Sequence, residues 1–407
     1  MLTPRAGAAD QRRRPTAPTA VADGRRAQPP ADPTGRLPNH PRRLAAEAYP
    51  GLHTPPASCR EDGAVTTGDG WPLRPATDAD RSGARALLAA GLPFDIAPGP
   101  FRGVDAQDLL EAGWDPLADD GTPVGDVVRL ASVLDAEFAV GVDGGIDGGA
   151  VAVPAGLVTA SLGAPDREAP ATGGGAPVGH LHLLVVHPSL RRRGLGRVLL
   201  DAAVDELRHR GAGTVTTAPR PPRYGWPGAD IRYTAFGLLA AAAGFEPGGH
   251  RHNATVDLDA ASRDGLLDTT ADVDTLRAAG VEIRRATRAD AAALARAATA
   301  LGGTWPAEAA LSLRREPVAV HLAVRGADVI GFACHAGSRH GWLGPVGVAA
   351  GERRRGIARV LVRRCLVDVR AEGRAAAQVC WVGPVGFYAD AVGGYLDRTF
   401  DTHAKTV

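Results

Sequence analysis

The sequence predicts an α/β (α+β) fold built as two tandem copies, each a mixed sheet flanked by helices, on the strength of three observations. An arginine-rich turn occurs twice, as VHPSLRRRGLGRVLL over residues 186–200 and as VAAGERRRGIARVLV over residues 348–362. The beginning of each copy repeats as well, because WPLRPATDADRSGARALLAA (71–90) matches VEIRRATRADAAALARAATA (281–300). Strand-like alternation precedes each turn, and helix-like spacing of apolar residues follows it.

The opening of each copy is predicted to be a short strand, a turn and a helix. Asp80 and Asp290 occupy equivalent places in this turn, where a helix N-terminus favours an acidic cap. Three strands are predicted to follow in each copy. In the first copy they are EFAVGVDG (137–144), AGLVTASLG (155–163) and GHLHLLVVHP (179–188), and in the second a hairpin turning at residues 325–328 precedes GWLGPVGVAA (341–350).

An amphipathic helix is predicted after each arginine-rich turn. In the first copy its apolar residues recur at helical spacing, as Leu195, Val198, Leu199, Ala202, Ala203 and Leu207. Gly211 and Gly373 stand where these helices should end, because glycine adopts the left-handed conformation of a C-cap. A further strand, GTVTTAP (213–219) or AAAQVCWV (375–382), and a last helix complete each copy.

The domain boundaries follow from composition. Residues 1–68 are rich in Pro, Ala, Arg and Gly, and such a segment buries too little apolar surface to offset its ordering entropy, so we expect a disordered tail. The N-terminal domain is predicted over residues 69–258, a linker over 259–280 and the C-terminal domain over 281–407. Gly-rich segments of the first copy, GVDGGIDGGA and ATGGGAP, are predicted surface loops.

Bulk composition excludes several classes of function. The chain has 407 residues, 44% of them apolar, which is enough to bury cores in two or three domains. Its net charge of +1 gives no overall attraction to nucleic acid or to an anionic membrane. The longest strongly apolar run, residues 235–245, is far shorter than the roughly 18 residues of a membrane span. The N-terminus lacks the apolar core of a signal peptide, so we expect a cytoplasmic protein.

The cysteines predict no metal site. The four are Cys59, Cys334, Cys365 and Cys380, and none forms a CxxC pair or has histidines at zinc spacing. We expect them to be small buried apolar residues in a reducing compartment.

The arginine-rich turn has the features of an anion site. The first N–H groups of a helix lack intrahelical partners, and the helix dipole adds partial positive charge there. Gly194 and Gly196 allow a ligand to approach the backbone closely, as do Gly356 and the small Ala358 in the second copy. The pattern therefore predicts a pyrophosphate site, with the neighbouring arginines supplying positive charge.

Two other interpretations of the turn stay open. A capped helix with a solvated basic face would also contain these residues, but the duplication of the whole pattern disfavours it. A nucleic-acid surface is disfavoured because no aromatic residues are interleaved and the chain is not basic overall. No Gly-Lys-Ser/Thr follows, so the pattern is not a Walker loop, and it is not the dinucleotide fingerprint.

The motif V-x-P-x-x-R-x-x-G-x-G resembles the acyl-CoA-binding signature of the GNAT family of N-acetyltransferases. The first copy matches it at Val186, Pro188, Arg191, Gly194 and Gly196. The second matches at Val348, Arg353, Gly356 and Ala358, with Ala350 in place of the proline. The resemblance covers roughly residues 71–407 and implies two tandem GNAT-like domains, each a mixed, mostly antiparallel sheet flanked by helices.

The resemblance also implies an activity. Acetyl-CoA would be the cosubstrate of an N-acetyltransferase, and a small-molecule or peptide amine would attack the thioester directly. In that family the turn holds the coenzyme pyrophosphate, and the strand before it splays from the next strand to admit the pantetheine. The implied coenzyme-binding residues are Val186, Arg191, Arg192, Arg193, Gly194, Leu195 and Gly196 in the first copy, and Val348, Arg353, Arg354, Arg355, Gly356, Ile357 and Ala358 in the second.

A tyrosine on the last helix of family members often protonates the departing thiolate, within Phe-Tyr-x-x-x-Gly-Phe. The second copy has Phe387-Tyr388, with Gly393-Gly394 one residue further away than usual. In the first copy Ala240 stands where the tyrosine belongs, and Tyr233 lies seven residues earlier. The C-terminal copy is therefore the expected catalytic one, with Tyr388 as proton donor.

Several points stay open at this stage. Tyr388 could instead be a packed aromatic residue, and the chain could be a non-catalytic acyl-CoA sensor or scaffold. No acidic residue is predicted as the general base, since the strand GWLGPVGV contains none. A water-mediated base or an already neutral amine would both suffice. Histidines that could titrate near neutral pH are expected to be structural or exposed: His180, His182, His187, His335 and His340.

Overall fold

The computed structural model describes residues 65–66, 71–93, 106–116, 127–132, 153–163, 175–218, 220–302 and 304–407. The predicted strand at residues 137–144 lies outside them, as does the predicted tail apart from residues 65 and 66. These two residues pair with the first predicted strand, Val65 with Leu73 and Thr66 with Pro72.

Apart from the strand expected at residues 137–144, the first copy contains the predicted elements. It also has an unpredicted strand at residues 127–132, a second helix, two two-residue strands and a long final strand. In chain order they are β1 (Val65–Thr66), β2 (Pro72–Pro75), α1 (Arg81–Gly91), α2 (Ala106–Trp114), β3 (Val127–Ser132), β4 (Gly156–Gly163), β5 (Val178–Val186), α3 (Leu195–His209), β6 (Thr214–Thr216), β7 (Ala229–Asp230), α4 (Thr234–Ala242) and β8 (Glu246–Asp257).

The second copy repeats this order after two connecting helices, α5 (Leu258–Arg263) and α6 (Thr270–Ala278), in the predicted linker. Its elements are β9 (Glu282–Arg285), α7 (Ala291–Thr299), α8 (Trp305–Leu313), β10 (Val320–Arg325), β11 (Asp328–His335), β12 (Trp342–Val348), α9 (Ile357–Ala371), β13 (Ala376–Val379), α10 (Val385–Val392) and β14 (Tyr395–Thr406). The sequence did not predict α2, β3, α5, α6, α8 or the two final strands.

The opening turn of each copy is held by the same hydrogen bonds. Asp80 accepts from the Thr77 N–H at 2.8 Å and from the Arg74 guanidinium at 2.6 and 2.9 Å. In the second copy Asp290 accepts from the Thr287 N–H at 2.7 Å and from Arg284 at 2.7 and 2.9 Å. The sequence repeat is thus a repeat of one capped turn.

The helices that follow the arginine-rich turns end as predicted. Gly211 and Gly373 adopt left-handed conformations, with φ of 92° and 81°. At the end of α3 the Gly211 N–H donates to the Arg208 carbonyl and the Ala212 N–H to the Leu207 carbonyl, at 2.9 and 3.0 Å. These bonds satisfy carbonyls that the end of a helix otherwise leaves without partners.

The sheet is continuous through both copies, because each copy gives its final strand to the other. Its order is β1-β2-β3-β4-β5-β6-β14-β8-β13-β12-β11-β10-β9. The final strand of the second copy pairs with β6 of the first, and the final strand of the first pairs with β13 of the second. All of these pairings are antiparallel except β5 with β6 and β12 with β13, which confirms the predicted mixed, mostly antiparallel α/β architecture.

Helices cover both faces of this sheet. In the second copy, α9 and α10 pack on one face around Leu343, Val360 and Leu361, while α7 and α8 pack on the other around Leu322 and Phe332. The first copy has the same two layers, with α3 and α4 on one face and α1 and α2 on the other. Within the described ranges, no helix is both long and apolar enough to cross a membrane.

Candidate functional site

The two arginine-rich turns have the same backbone conformation. Arg192 and Gly194 lie in the left-handed region with φ of 65° and 90°, and Arg354 and Gly356 match them with φ of 65° and 81°. Gly194 and Gly356 are the N-caps of α3 and α9, and neither helix start has a side-chain cap. Such turns direct successive N–H groups to one concave side, which is a common form of anion site.

The space beside Gly194 and Gly356 is open. A methyl group built on Gly194 would have no atom within 4 Å, and one built on Gly356 would meet only the Arg359 guanidinium, at 3.7 Å. Packing therefore does not require glycine here. The positive φ requires it, and the space beside the backbone stays accessible to a ligand.

The three arginines of each turn have different partners. Arg191 donates to the carbonyl of Gly91 at 2.6 Å and to that of Val186 at 3.2 Å, and Arg353 donates to the equivalent Val348 carbonyl at 3.2 Å. The side chains of Arg191 and Arg353 thus fasten the turn to the end of the preceding strand. All six arginines are exposed, and Arg355 also lies 3.6 Å from the Glu352 carboxylate.

A cleft of about 350 Å³ opens at the second turn. One wall is formed by Arg354, Arg355, Gly356, Arg359 and Val360, and the other by Asp272, Thr275 and Leu276 of α6. Asp272 pairs with Arg359 at 2.8 Å and with Arg363 at 3.4 Å, so a carboxylate already shares the charge of two arginines there. The linker helix therefore completes this cleft.

In both copies, the strand before the turn separates from its parallel neighbour. Residues 178–180 of β5 pair with β6, whereas the strand continues to Val186. In the second copy only Trp342 and Leu343 of β12 pair with β13, and the strand continues to Val348. A gap therefore opens towards each arginine-rich turn, as the resemblance implied for the pantetheine arm.

The last helices of the two copies end in similar but not identical turns. The Gly394 N–H donates to the Tyr388 carbonyl six residues back, and the Phe245 N–H donates to the Ala240 carbonyl five residues back, both at 3.0 Å. The helix α4, TAFGLLAAA, contains no tyrosine, so the first copy has no counterpart of Tyr388 on its last helix. Tyr233 precedes α4 as its N-cap.

Tyr388 lies on α10 and belongs to the core that this helix forms with α9. Its side chain is buried, and burial raises its pKa above the ordinary tyrosine value, with Cys380 and Cys365 adding to this effect. Cys380 directly follows β13, and its Sγ lies 3.8 Å from the Leu343 carbonyl of β12. Leu343 is the last residue of β12 that pairs with β13, so Cys380 lies where the strands diverge.

Sequence reasoning missed an acidic residue of the second copy whose pKa is altered. Glu308 lies on α8, and the Thr304 hydroxyl donates to its Oε1 at 3.0 Å. Burial raises the pKa of Glu308 to about 7. Its charge contributes to the raised pKa values of Tyr224, Cys334 and Cys380, which places it near these side chains. The sequence signal that could have drawn attention to Glu308 is that it is the single carboxylate in the mostly apolar segment WPAEAALSL.

A segment of the first copy closes the site of the second. The Tyr224 ring packs on Trp342 with centroids 5.4 Å apart, and its hydroxyl lies 3.5 Å from the Cys380 Sγ. Ser338 donates to the Pro222 carbonyl and Arg339 to the Gly225 carbonyl, both at 2.6 Å. Residues 222–225 are therefore fixed against the second copy by hydrogen bonds and ring packing.

A stack of rings and guanidinium groups continues this junction. The guanidinium of Arg339 lies 4.1 Å from the Trp226 ring and 4.2 Å from the Trp342 ring. Arg398 lies 3.7 Å from the centroid of the same ring, Trp226. Arg398 also pairs with Asp230 at 2.5 Å, and both side chains are almost fully buried.

The gap of the first copy has different chemistry. His182 lies on β5, its Nε2 is 2.8 Å from the Ser161 Oγ, and burial together with the charges of His180 and Arg220 lowers its pKa to about 3. It is therefore neutral at physiological pH, in agreement with a structural role. Across the described part of the chain, no group of His, Cys, Asp and Glu is arranged to hold a metal ion.

Comparison with known proteins agrees with this geometry. Residues 140–223, which include the first arginine-rich turn, match the acetyltransferase (GNAT) family. No curated protein sequence matches the chain. Among solved structures, the chain is similar to a fungal multi-domain GH3 beta-N-acetylglucosaminidase that has a GCN5-related glucosamine N-acetyltransferase region, at 18% identity and a TM-score of 0.59. The match covers 82% of this chain and 38% of that one, so this chain spans well under half the length of that protein.

Two further structures match almost over their full length. A GCN5-related N-acetyltransferase from Sphaerobacter thermophilus is 18% identical, with a TM-score of 0.52 over 82% of this chain and 94% of that one. A tandem GNAT protein from the clavulanic acid biosynthesis pathway is 17% identical, with a TM-score of 0.53 over 82% of this chain and 97% of that one. At such identities the likeness concerns the fold. The chain thus has the fold of a tandem GNAT protein and carries an acetyltransferase (GNAT) domain in its first copy.

Proposed function

We propose that the chain is an acyl-CoA-dependent N-acetyltransferase, which moves an acetyl group from acetyl-CoA to an amine by direct attack. One observation carries this proposal. In each copy, a concave turn of backbone N–H groups at a helix start lies at the mouth of a gap between two parallel strands. A pyrophosphate would occupy the turn and an extended pantetheine arm the gap, and these two groups are joined directly to each other in acetyl-CoA.

The proposed organisation has two coenzyme sites in one cytoplasmic chain. Residues 69–258 and 281–407 form the two GNAT-like domains, joined by residues 259–280. The turn residues 191–196 would hold the pyrophosphate in the first domain and residues 353–358 in the second, with Val186 and Val348 at the strand ends beside them. Because Arg191 and Arg353 hold the turns, Arg192, Arg193, Arg354 and Arg355 are the side chains proposed to contact phosphate oxygens.

The C-terminal copy is proposed as the catalytic one. Tyr388 lies on the last helix of this copy, whereas the last helix of the first copy, TAFGLLAAA, contains no tyrosine. A thioester is already activated, so the site need only position the amine, polarise the carbonyl and protonate the departing sulfur. The Tyr388 hydroxyl is the proposed source of that proton.

The acceptor is proposed to be a small-molecule or peptide amine. The fungal relative is described by its glucosamine N-acetyltransferase region, so glucosamine is the first amine to test. Spermidine, glycinamide and a peptide with a free N-terminus extend the panel to a polyamine, an amino-acid amide and a peptide amine.

Release of coenzyme A from acetyl-CoA with each amine tests this function. We expect Tyr388→Phe to lower kcat by roughly 100-fold, at the low end of general acid catalysis because a thiolate leaves readily, and to change acetyl-CoA affinity by only a few-fold. Tyr233→Phe, in the first copy, should have little effect. Loss of turnover in Tyr233→Phe with full turnover in Tyr388→Phe would assign catalysis to the first copy instead.

Calorimetry with acetyl-CoA tests the two coenzyme sites. Gly194→Asp and Gly356→Asp each place a carboxylate where phosphate is proposed to bind, so each should weaken one site. Gly373→Asp is a matched control, because Gly373 has the same φ of 81° as Gly356 and open space around it but lies at the far end of α9. Binding that is unchanged in both site variants would reject the pyrophosphate assignment. Tight binding without transfer to any amine would favour the acyl-CoA sensor.

A further inference from the structure

The final strand of the first copy, β8, carries two polar side chains close to the gap of the second copy. Ala254 of this strand points into the core under α9 and α10, so Arg251 and Asn253 point to the opposite face, because successive side chains of a strand alternate. Strand β8 pairs with β13, and Cys380, at the end of β13, lies where β13 and β12 diverge. Arg251 and Asn253 are therefore one strand away from the gap.

Trp381 joins these two side chains to the gap. It directly follows Cys380, its N–H donates to the Asn253 Oδ1 at 2.9 Å, and its ring centroid lies 4.8 Å from the Arg251 guanidinium. Its side chain is 41% exposed, so this stack borders solvent. We call Arg251, Asn253 and Trp381 the Arg251 cluster.

The Arg251 cluster contains two hydrogen-bond donors without partners. Within the described part of the chain, the Arg251 Nε and the Asn253 Nδ2 are buried and have no hydrogen-bond acceptor. The bond from Trp381 fixes the orientation of the Asn253 amide, so its NH₂ group is the unpaired one. The guanidinium of Arg251 donates to the His250 carbonyl at 3.2 Å, and no carboxylate of the described residues pairs with it. Unpaired buried donors destabilise a fold unless a ligand accepts from them.

The backbone of Trp381 gives independent evidence of a binding site. Its φ of 48° lies in the left-handed region, which is rare for a bulky aromatic residue. A glycine would adopt this conformation without strain, but it would have no ring to place beside Arg251. Strained residues of this kind are concentrated at active sites and ligand-binding sites.

The Arg251 cluster lies on the face of the sheet that is left to an acceptor. The proposed proton donor Tyr388 and helix α9 occupy the other face. On the face of the cluster, Phe400 of β14 pairs with Arg251 of β8 and stacks on Trp226 with centroids 5.4 Å apart. The junction segment of the first copy therefore borders the cluster on the side away from the gap.

We propose that the Arg251 cluster binds a carboxylate of the acceptor, so that the acceptor of the C-terminal copy is an amine that also carries a carboxylate. This inference rests on the proposed function and narrows its acceptor class. The Arg251 guanidinium forms a charge-assisted hydrogen bond to the carboxylate, the Asn253 amide donates a second one, and the Trp381 ring holds the guanidinium in place. The first copy thus supplies residues that select the acceptor of the second.

The position of the cluster also sets the length of the acceptor. Neighbouring strands are about 4.8 Å apart, and the cluster lies one strand away from the gap in which the amine reacts. An α-amino acid has its amine and its carboxylate on one carbon atom, which is too short for this distance. In 4-aminobutyrate and 6-aminohexanoate, three and five methylene groups separate the two.

Coenzyme A release with matched acids and amides tests the inference. The acids are 4-aminobutyrate and 6-aminohexanoate, and 4-aminobutanamide and 6-aminohexanamide have the same amine and length without the negative charge. In the wild-type protein, kcat/KM should be about 10- to 100-fold higher for each acid than for its amide, the range expected of a charge-assisted hydrogen bond. Glycine should be a poorer acceptor than either longer acid.

Two substitutions at Arg251 assign this preference to the cluster. Arg251→Met keeps an unbranched stem and removes the charge, so it should raise the KM for the acids and bring the acid-to-amide ratio of kcat/KM close to one. The amides should stay within a few-fold of their wild-type values. Arg251→Lys keeps a charge without the planar guanidinium and should retain part of the preference.

Arg263→Met is the matched control, because Arg263 is an exposed arginine of α5. It should keep the wild-type preference. Far-UV circular dichroism and acetyl-CoA calorimetry establish that each variant is folded and binds coenzyme. If Arg251→Met does not fold, the ratios in the wild type and in Arg251→Lys decide the question.

The possible failures are distinguishable. Equal use of acids and amides by the wild type would overturn the inference and leave the proposed function in place. An unchanged acid preference in a folded variant of Arg251, or a preference for glycine over the longer acids, would do the same. If the wild type releases no coenzyme A with any amine, acid or amide, the proposed function fails and this inference fails with it.

Discussion

Replacing Asp230 with alanine should destabilise the protein far more than replacing Asp274, although both residues form an aspartate–arginine pair. Asp230 and Arg398 are 2.5 Å apart with side chains 2% and 6% exposed. Asp274 and Arg277 are 2.7 Å apart with side chains 62% and 71% exposed. The two substitutions therefore compare one kind of ion pair at nearly equal distance in two different surroundings.

The expected magnitudes follow from solvation. Burial raises the pKa of Asp230, but hydrogen bonds from Arg232 and the charge of Arg398 outweigh it and hold that pKa below the ordinary value. Removing the carboxylate leaves Arg398 buried without its counter-charge, which costs about 3–5 kcal/mol. The exposed pair contributes at most about 1 kcal/mol, because water solvates both charges when it is broken.

Urea denaturation followed by tryptophan fluorescence and circular dichroism measures both changes. The double variant Asp230→Ala/Arg398→Leu should recover much of the loss, since it leaves no unpaired charge in the interior; Arg232, which also pairs with Asp230, has a side chain that is 38% exposed and stays solvated. A free energy of unfolding for Asp230→Ala within about 1 kcal/mol of that for Asp274→Ala would refute the argument that burial makes this junction pair important.

Three further predictions concern single side chains. Gly113→Ala in α2 should lower the free energy of unfolding by about 1–3 kcal/mol, because the new Cβ would lie 2.5 Å from Leu183. Gly237→Ala in α4 has open space around it and should raise the free energy of unfolding by about 0.5–1 kcal/mol. Thermal melting shows whether the two changes have these opposite signs. His182 has its pKa lowered to about 3, so the folded state loses stability as pH falls below the unfolded value of 6.5. His182→Gln does not titrate, so it should remove up to about 3 kcal/mol of this loss at pH 4.5. Urea titrations at pH 4.5 and at a pH above 6.5 measure the difference. Glu308 has its pKa raised to about 7 from 4.5, so wild-type stability falls as pH rises through that interval; Glu308→Gln should therefore be more stable than wild type at pH 8, by up to about 3 kcal/mol, and nearly equal to it at pH 4.

Local features of the fold were predictable because they depend on neighbouring residues. The capped turns at Asp80 and Asp290 and the terminal glycines Gly211 and Gly373 are each determined within a few residues of chain. The doubled arginine-rich turn identified the architecture for the same reason, since a strand, a turn and a helix start are contiguous in sequence.

Non-local features were not predictable. The alternation of apolar and polar residues along a strand does not depend on which sheet the strand joins. Nothing in residues 246–257 or 395–406 therefore indicates that each strand pairs with the other copy. Helix α8 was missed because WPAEAALSL is apolar on most of its surface and lacks a clear polar face. Glu308 was missed for the related reason that its burial depends on the arrangement of β11, β12 and the first copy.

The guanidinium groups of the turns illustrate a third limit. Three adjacent arginines have equal charge in sequence, yet Arg191 is directed to the Gly91 carbonyl of α1, a hundred residues earlier in the chain. Carbonyl groups from distant parts of the chain therefore decide which of several identical arginines bind the protein and which face a ligand.

The exchange of final strands has a consequence for how this chain can evolve. The central order β5-β6-β14-β8-β13-β12 is symmetric, because β5, β6 and β8 of the first copy correspond to β12, β13 and β14 of the second. An approximate two-fold axis therefore lies between β14 and β8. A single ancestral copy could form a homodimer by this same exchange, and the tandem chain is its covalently fused equivalent. Fusion lets the halves diverge, but neither can be discarded. A copy that has lost its catalytic activity must still fold, because its last strand completes the sheet of the other copy.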